Sequence, residues 1–114
     1  MNDQVVVVFI TVPSLETGKQ IARLLVEKRL AACVNIIPTV NSIYTWEGQV
    51  QDDMEALLLV KSRGELFESE LIPAVRQIHP YELPEIIALP VQMGLPAYMN
   101  WIERVTSESD NRPE

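Results

Sequence analysis

Residues 33–61 read "CVNIIPTVNSIYTWEGQVQDDMEALLLVK". Cys33 to Trp46 is rich in β-branched and aromatic residues, and Val50 to Lys61 ends in the apolar run "ALLLV". Glu47 and Gly48 supply a turn between them, so the stretch is expected to form a long β-hairpin. Pro38 lacks the N–H a ladder needs, which predicts a break, a bulge or an edge position there. Each arm is about twelve residues, or roughly 40 Å at the strand rise. That is about twice a typical strand, in a chain whose domain would be only about 30 Å across. The tip should therefore project beyond its own core. It carries Ile43, Tyr44, Trp46 and Val50, and an exposed apolar edge needs cover. Another copy of the chain is the simplest cover, so self-association is expected.

Upstream, Val5 to Val12 is a continuous apolar run and reads as a buried strand. Pro13 ends it, and Ser14 is suited to cap a helix from Leu15 to about Arg29. Ile21, Leu24, Leu25 and Lys28 form one stripe of that helix. Gly18 is expected to weaken it slightly. Downstream, Gly64 opens a second helix with Phe67, Leu71, Val75 and Ile78 on one face. Pro73 should kink this helix, and His79-Pro80 should end it. "EIIALPV" after Pro84 is a last strand, and Pro96 suits the first turn of a terminal helix. The order β-α-β-β-α-β plus a helix is the α+β, ferredoxin-like arrangement, a split βαβ built around the hairpin. Both helices should cover one sheet face and leave the other for self-association. The chain of 114 residues is expected to be a single domain, residues 1–114, with its core over about 4–105 and a frayed acidic tail over 106–114.

Composition narrows the function. The net charge is −7, which opposes binding to nucleic acid or anionic membranes because both require clustered cations. Cys33 is the only cysteine, so no intrachain disulfide can form. With Asn2 and Asp3 at the start instead of basic residues, a cytoplasmic location is expected. No apolar run is long enough to span a bilayer. Nucleotide-binding glycine loops, the nucleophile elbow and metalloprotease motifs are absent from the sequence, so no catalytic residues are assigned and no enzyme is expected.

Cys33 and His79 are the borderline-to-soft metal ligands, a pair suited to Cu or Zn but too few for a closed site in one chain. Cys33 also fits simple packing in an apolar strand, and His79 fits a structural role at a helix end. Asp53 and Glu55 share a strand face and read as solvated carboxylates. Tyr44 and Trp46 share another and suit a subunit interface or a stacking platform. Lys61 and Arg63 follow the third strand, where they could meet an anion near His79.

Taken together, "AACVNI", "SIYTWEGQVQDDMEALLLVKS", "HPYELPEI" and "YMNWI" resemble the CutA divalent-cation-tolerance family over nearly the whole chain. That resemblance implies a compact homotrimer built like PII signalling proteins, with a role in tolerance of divalent metals, chiefly copper. It puts Cys33, His79 and Glu82 forward as ligands for Cu(II) or another divalent metal. Tyr44, Trp46, Lys61, Tyr81 and Glu85 would line a ligand cleft between subunits. Where some members carry further cysteines, this chain has Ile10 and Ala74, so His79 and nearby carboxylates or methionines would carry more of the coordination. The alternatives are a PII-like module taking a small molecule or anion in that cleft, and a purely structural trimer.

Overall fold

The computed structural model describes residues 4–107. Strands β1 (Val5–Val12), β2 (Cys33–Trp46), β3 (Gln49–Arg63) and β4 (Ile86–Pro90) form one sheet in the order β2-β3-β1-β4, every neighbouring pair antiparallel. Helix α1 (Leu15–Glu27) connects β1 to β2, and a second helical stretch connects β3 to β4. This is the ferredoxin-like topology expected from the element order. α4 (Pro96–Val105) closes the described chain.

Alternation along the strands divides the sheet into two faces. Val6, Val8, Ile10 and Val12 of β1, with Ala56, Leu58 and Val60 of β3, are buried beneath the helices with Ile21 and Leu25 of α1. Side chains of this kind each stabilise by about 1.5–3 kcal/mol on burial. On the other face Ile37, Ile87 and Leu89 remain exposed. Self-association was expected to use such a face.

Local chemistry explains the element ends. The Ser14 hydroxyl accepts from the Thr17 N–H at 3.1 Å, capping α1. At its other end Arg29 takes the left-handed conformation (φ 60°), while the N–H of Leu30 donates to the carbonyl of Leu25 at 2.9 Å. Gly18 is more than a weak point in this helix. A Cβ there would lie 3.1 Å from Leu58 Cδ2 and 3.3 Å from Val12 Cγ2, so its lack of side chain lets the helix approach the sheet.

The second helical stretch comprises α2 (Gly64–Leu66), a π-helical turn (Phe67–Leu71) and α3 (Ile72–Ile78). The Ile72 N–H reaches back five residues to the Phe67 carbonyl. Pro73 cannot donate to Ser69, and its ring would crowd that carbonyl in a continuous α-helix. The widened turn just before it provides the room, so the expected kink takes this form.

The hairpin is longer than its surroundings, and the greatest extent of the molecule is 46 Å against 26 and 24 Å. Glu47 (φ 53°) and Gly48 (φ 78°) make the tight turn at its tip, both in the left-handed region favoured by two-residue hairpin loops. Ile37 pairs with Leu57, but the next pair is Val40 with Glu55. One extra residue on β2, at Pro38-Thr39, forms the expected bulge. The bulge also reverses which residues of β2 face which way: Cys33, Asn35 and Ile37 share the face of Leu57 and Lys61, whereas beyond it Ser42, Tyr44 and Trp46 share the face of Glu55 and Asp53. On the opposite side of the tip, Ile43, Val50 and Met54 are 71%, 76% and 66% exposed.

The expectation of fraying from residue 106 is corrected at its first residue. Thr106 is buried, and Arg63 donates from Nε to its hydroxyl and from Nη2 to its carbonyl, both at 2.8 Å. Arg63 also pairs with Glu65 at 2.8 Å. The expected remainder of the tail, 108–114, lies outside the described residues.

Candidate functional site

A cleft of about 730 Å³ opens between the hairpin and the segment joining α3 to β4. Thr11 and Glu55 form its floor, Ser42 to Trp46 one wall, and Pro80 to Glu85 the other. His79 fixes the second wall. Its extended backbone ends α3 ahead of Pro80, and its ring is buried at 7% exposure. Nε2 lies 2.8 Å from the Thr11 carbonyl oxygen, which can only accept; Nδ1 lies 3.2 Å from the Tyr81 N–H, which can only donate. Those partners assign the neutral ring with its proton on Nε2. The ring also packs 4.8 Å from that of Tyr81. Both nitrogens are thus occupied by backbone, and the histidine proposed above as a metal ligand instead pins the wall to β1.

Tyr81, held this way, reaches across the floor and donates from its hydroxyl to Glu55 Oε2 at 2.6 Å. Glu55 is 7% exposed. It was expected to be solvated, because neither its strand position nor its neighbours in sequence show that a residue 26 positions later will cover it. Nearer the tip the Tyr44 hydroxyl donates to Asp53. Burial, then the bond to Glu55, raises the Tyr81 pKa far above its ordinary value. The bond to Asp53 is the main cause of a rise at Tyr44. Both phenols stay neutral with their protons directed at carboxylates.

The remaining expected site residues divide into two groups. Trp46, Glu82 and Glu85 line the cleft with Tyr44, Tyr81 and Glu55. Cys33 and Lys61 do not. They pair with each other across β2 and β3, while Thr11 pairs with Leu57. Four residues of strand, roughly 13 Å, separate the two levels. There the Lys61 ammonium contacts Cys33 Sγ at 3.9 Å and the side-chain oxygen of Asn35. Burial first, and then the nearby Cys33 thiol, raise the pKa of Tyr98 in α4. The expected meeting of Lys61 and Arg63 with an anion beside His79 is therefore corrected: Lys61 is at the other end of the sheet and Arg63 is turned to Thr106 and Glu65. Among the described residues lining the cleft there is no lysine, arginine or histidine.

A ferredoxin-like chain with a projecting hairpin and an acidic, aromatic cleft defines the class. Residues 6–105 match the family described as CutA1 divalent ion tolerance protein. The chain belongs to that family. It is 51% identical over 100 residues to the divalent-cation tolerance protein CutA of Thermus thermophilus, covering 88% of this chain and 96% of that one. It is 48% identical over 107 residues to mouse protein CutA, covering 90% of this chain but 58% of the mouse protein. The chain thus spans little more than half of that relative's length. The crystal structure of CutA1 from Oryza sativa superimposes with a TM-score of 0.88 at 43% identity, covering 94% of this chain and 97% of that one.

Proposed function

We propose that this protein binds a divalent cation in the cleft as a homotrimer and serves tolerance of, or response to, divalent metals without catalytic turnover. The observation that carries the reading is the cleft lining: Glu55, Glu82 and Glu85 contribute carboxylates, and no basic side chain among the described lining residues opposes them. Among the described residues no three His, Cys, Asp or Glu side chains are grouped to hold a metal ion. The remaining coordination positions would belong to water, or to carboxylates of a neighbouring copy. Mg(II) is commonly held by one or two carboxylates with water completing its shell. Cu(II) prefers nitrogen and sulfur donors, yet both nitrogens of His79 are engaged by backbone and Cys33 is remote. Oxygen-seeking ions therefore suit this cleft better than copper.

The trimer reading is supported by the exposed apolar sheet face and by Ile43, Val50 and Met54 on the projecting tip. The anion alternative finds no support, since an anion in the cleft would meet three glutamates. Calorimetric titration of Mg(II) and Cu(II) into the full chain tests the metal reading. Mg(II) should bind to the parent and at least about tenfold more weakly, or 1.4 kcal/mol, to an E82Q/E85Q variant. Equal Mg(II) affinity in both proteins refutes it.

A further inference from the structure

The cleft is large for a bare ion. Its volume, about 730 Å³, falls within the roughly 300–1,000 Å³ typical of small-molecule sites. Its walls also carry something a metal does not use: three aromatic rings, Tyr44 and Trp46 from β2 and Tyr81 from the opposite wall. Aromatic faces attract cations through their quadrupole, and most strongly in sites partly withdrawn from water. Here the rings share one cavity with acceptor-only carboxylates.

The hydrogen bonding makes the site more selective. Tyr81 donates to Glu55 and Tyr44 donates to Asp53, so the phenol protons are committed within the protein. A carboxylate has about four acceptor positions, and each phenol occupies one. The carboxylates therefore present lone pairs, and the other side-chain polar groups lining the cleft are the hydroxyls of Thr11, Ser42 and Thr45, which can accept as well as donate. An ammonium group supplies three donors and no acceptor, while its methylene chain can lie against the rings. A metal ion here would have to take several of its oxygens from water or from a neighbouring copy, since the described residues do not group three such ligands. An ammonium needs one or two carboxylates and an aromatic face.

We propose that the cleft between Trp46 and Glu82 is a binding site for alkylammonium ions, with Tyr44, Trp46 and Tyr81 receiving the chain and Glu55, Glu82 and Glu85 receiving the ammonium heads. This shares the cation-attracting cleft with the metal reading but does not depend on metal, and the two separate experimentally. The full chain is titrated calorimetrically at low salt with 1,4-diaminobutane, tetramethylammonium chloride and magnesium chloride, in the parent, the W46L variant and the E82Q/E85Q variant. Both variants change exposed or half-exposed side chains, and circular dichroism verifies their fold before titration.

Diaminobutane should bind the parent more tightly than tetramethylammonium, which has no N–H to donate. W46L, which keeps apolar bulk but removes the ring, should weaken diaminobutane about tenfold and leave magnesium unchanged; E82Q/E85Q should weaken both. No heat of binding from diaminobutane at millimolar concentration overturns the proposal. So does unchanged diaminobutane affinity in W46L, which would mean diffuse attraction to the net charge of −7. Loss of magnesium binding alone in E82Q/E85Q would uphold the metal reading and overturn this one. Diaminobutane binding with no magnesium binding to the parent would do the reverse.

Discussion

Replacing Tyr81 by Phe removes one oxygen and leaves the wall-forming ring in place. Glu55 then keeps its burial, at 7% exposure, and loses the hydroxyl that donates to it at 2.6 Å. A hydrogen bond to a charged group contributes about 1.5–3 kcal/mol, and removing one partner leaves the other to bear its desolvation. Tyr81 itself is 36% exposed, so water can approach the vacated position and the cost should fall near the lower limit, about 1.5 kcal/mol. Urea unfolding at fixed protein concentration measures it, since self-association would make stability depend on concentration. Glu55→Gln should cost a similar amount, because the neutral amide accepts more weakly. The double variant should be less destabilised than the sum by about 1 kcal/mol, since the second change removes nothing the first has left intact. A cost below about 0.5 kcal/mol for Y81F, which is the usual range of surface substitutions, or a cycle that sums additively, would refute the claim that this pair holds the floor of the cleft.

His79→Ala removes two hydrogen bonds and a ring contact, and should lower unfolding free energy by about 2–3 kcal/mol. Its affinity for Mg(II), titrated on the folded protein, should change by less than about tenfold; abolished binding would restore the histidine as a ligand. The Tyr81 phenol is held neutral above its ordinary pKa of 10.0, so the native chain keeps a proton that the unfolded chain releases. Its stability contribution is complete below about pH 10 and declines as pH rises beyond it. Urea midpoints should therefore fall above pH 10 and fall less steeply in Y81F, and parallel profiles would contradict the assignment. Gly18→Ala should gain about 1 kcal/mol of helix propensity. It would nevertheless press a methyl group on buried Leu58 and Val12 at 3.1 and 3.3 Å, and overpacking costs about 1–3 kcal/mol. A net fall in Tm is expected, and a rise would show that the sheet yields.

The hairpin was legible because its signals are local. β-branched runs, the Glu47-Gly48 turn and the interruption at Pro38 all lie within 29 residues, "C" to "K" of the opening stretch. The βα order followed from similarly local periodicity. What remained hidden depends on distant approaches. Glu55 and Asp53 both look solvated in a strand stretch that holds three acidic residues, Asp52, Asp53 and Glu55, and only the chain turning back at Pro80 buries the first. Lys61 looked near His79 because each follows a core element, but the antiparallel ladder carries them to opposite ends of the sheet. Thr106 looked like the start of a polar tail, and its burial depends on an arginine 43 residues earlier. Gly18 has no sequence mark distinguishing a permissive helix position from a close contact. Of the expected site, the wall containing Tyr81, Glu82 and Glu85 and the aromatic pair Tyr44 and Trp46 do converge. Cys33 and Lys61 belong to a separate cluster beneath α4.

The extra residue at Pro38-Thr39 separates two systems of counting. On the body side, pairing is set by side chains packed beneath α1; on the arm side, it is set by the turn at Glu47-Gly48. The two counts need not agree, because the bulge is where the difference between them is absorbed. Evolution can therefore lengthen, shorten or exchange the arm without renegotiating the body. A body of fixed design can carry arms of different reach and different facing residues, so the hairpin wall of the cleft, Ser42 to Trp46, can vary while Thr11, Glu55 and the wall from Pro80 to Glu85 stay in place.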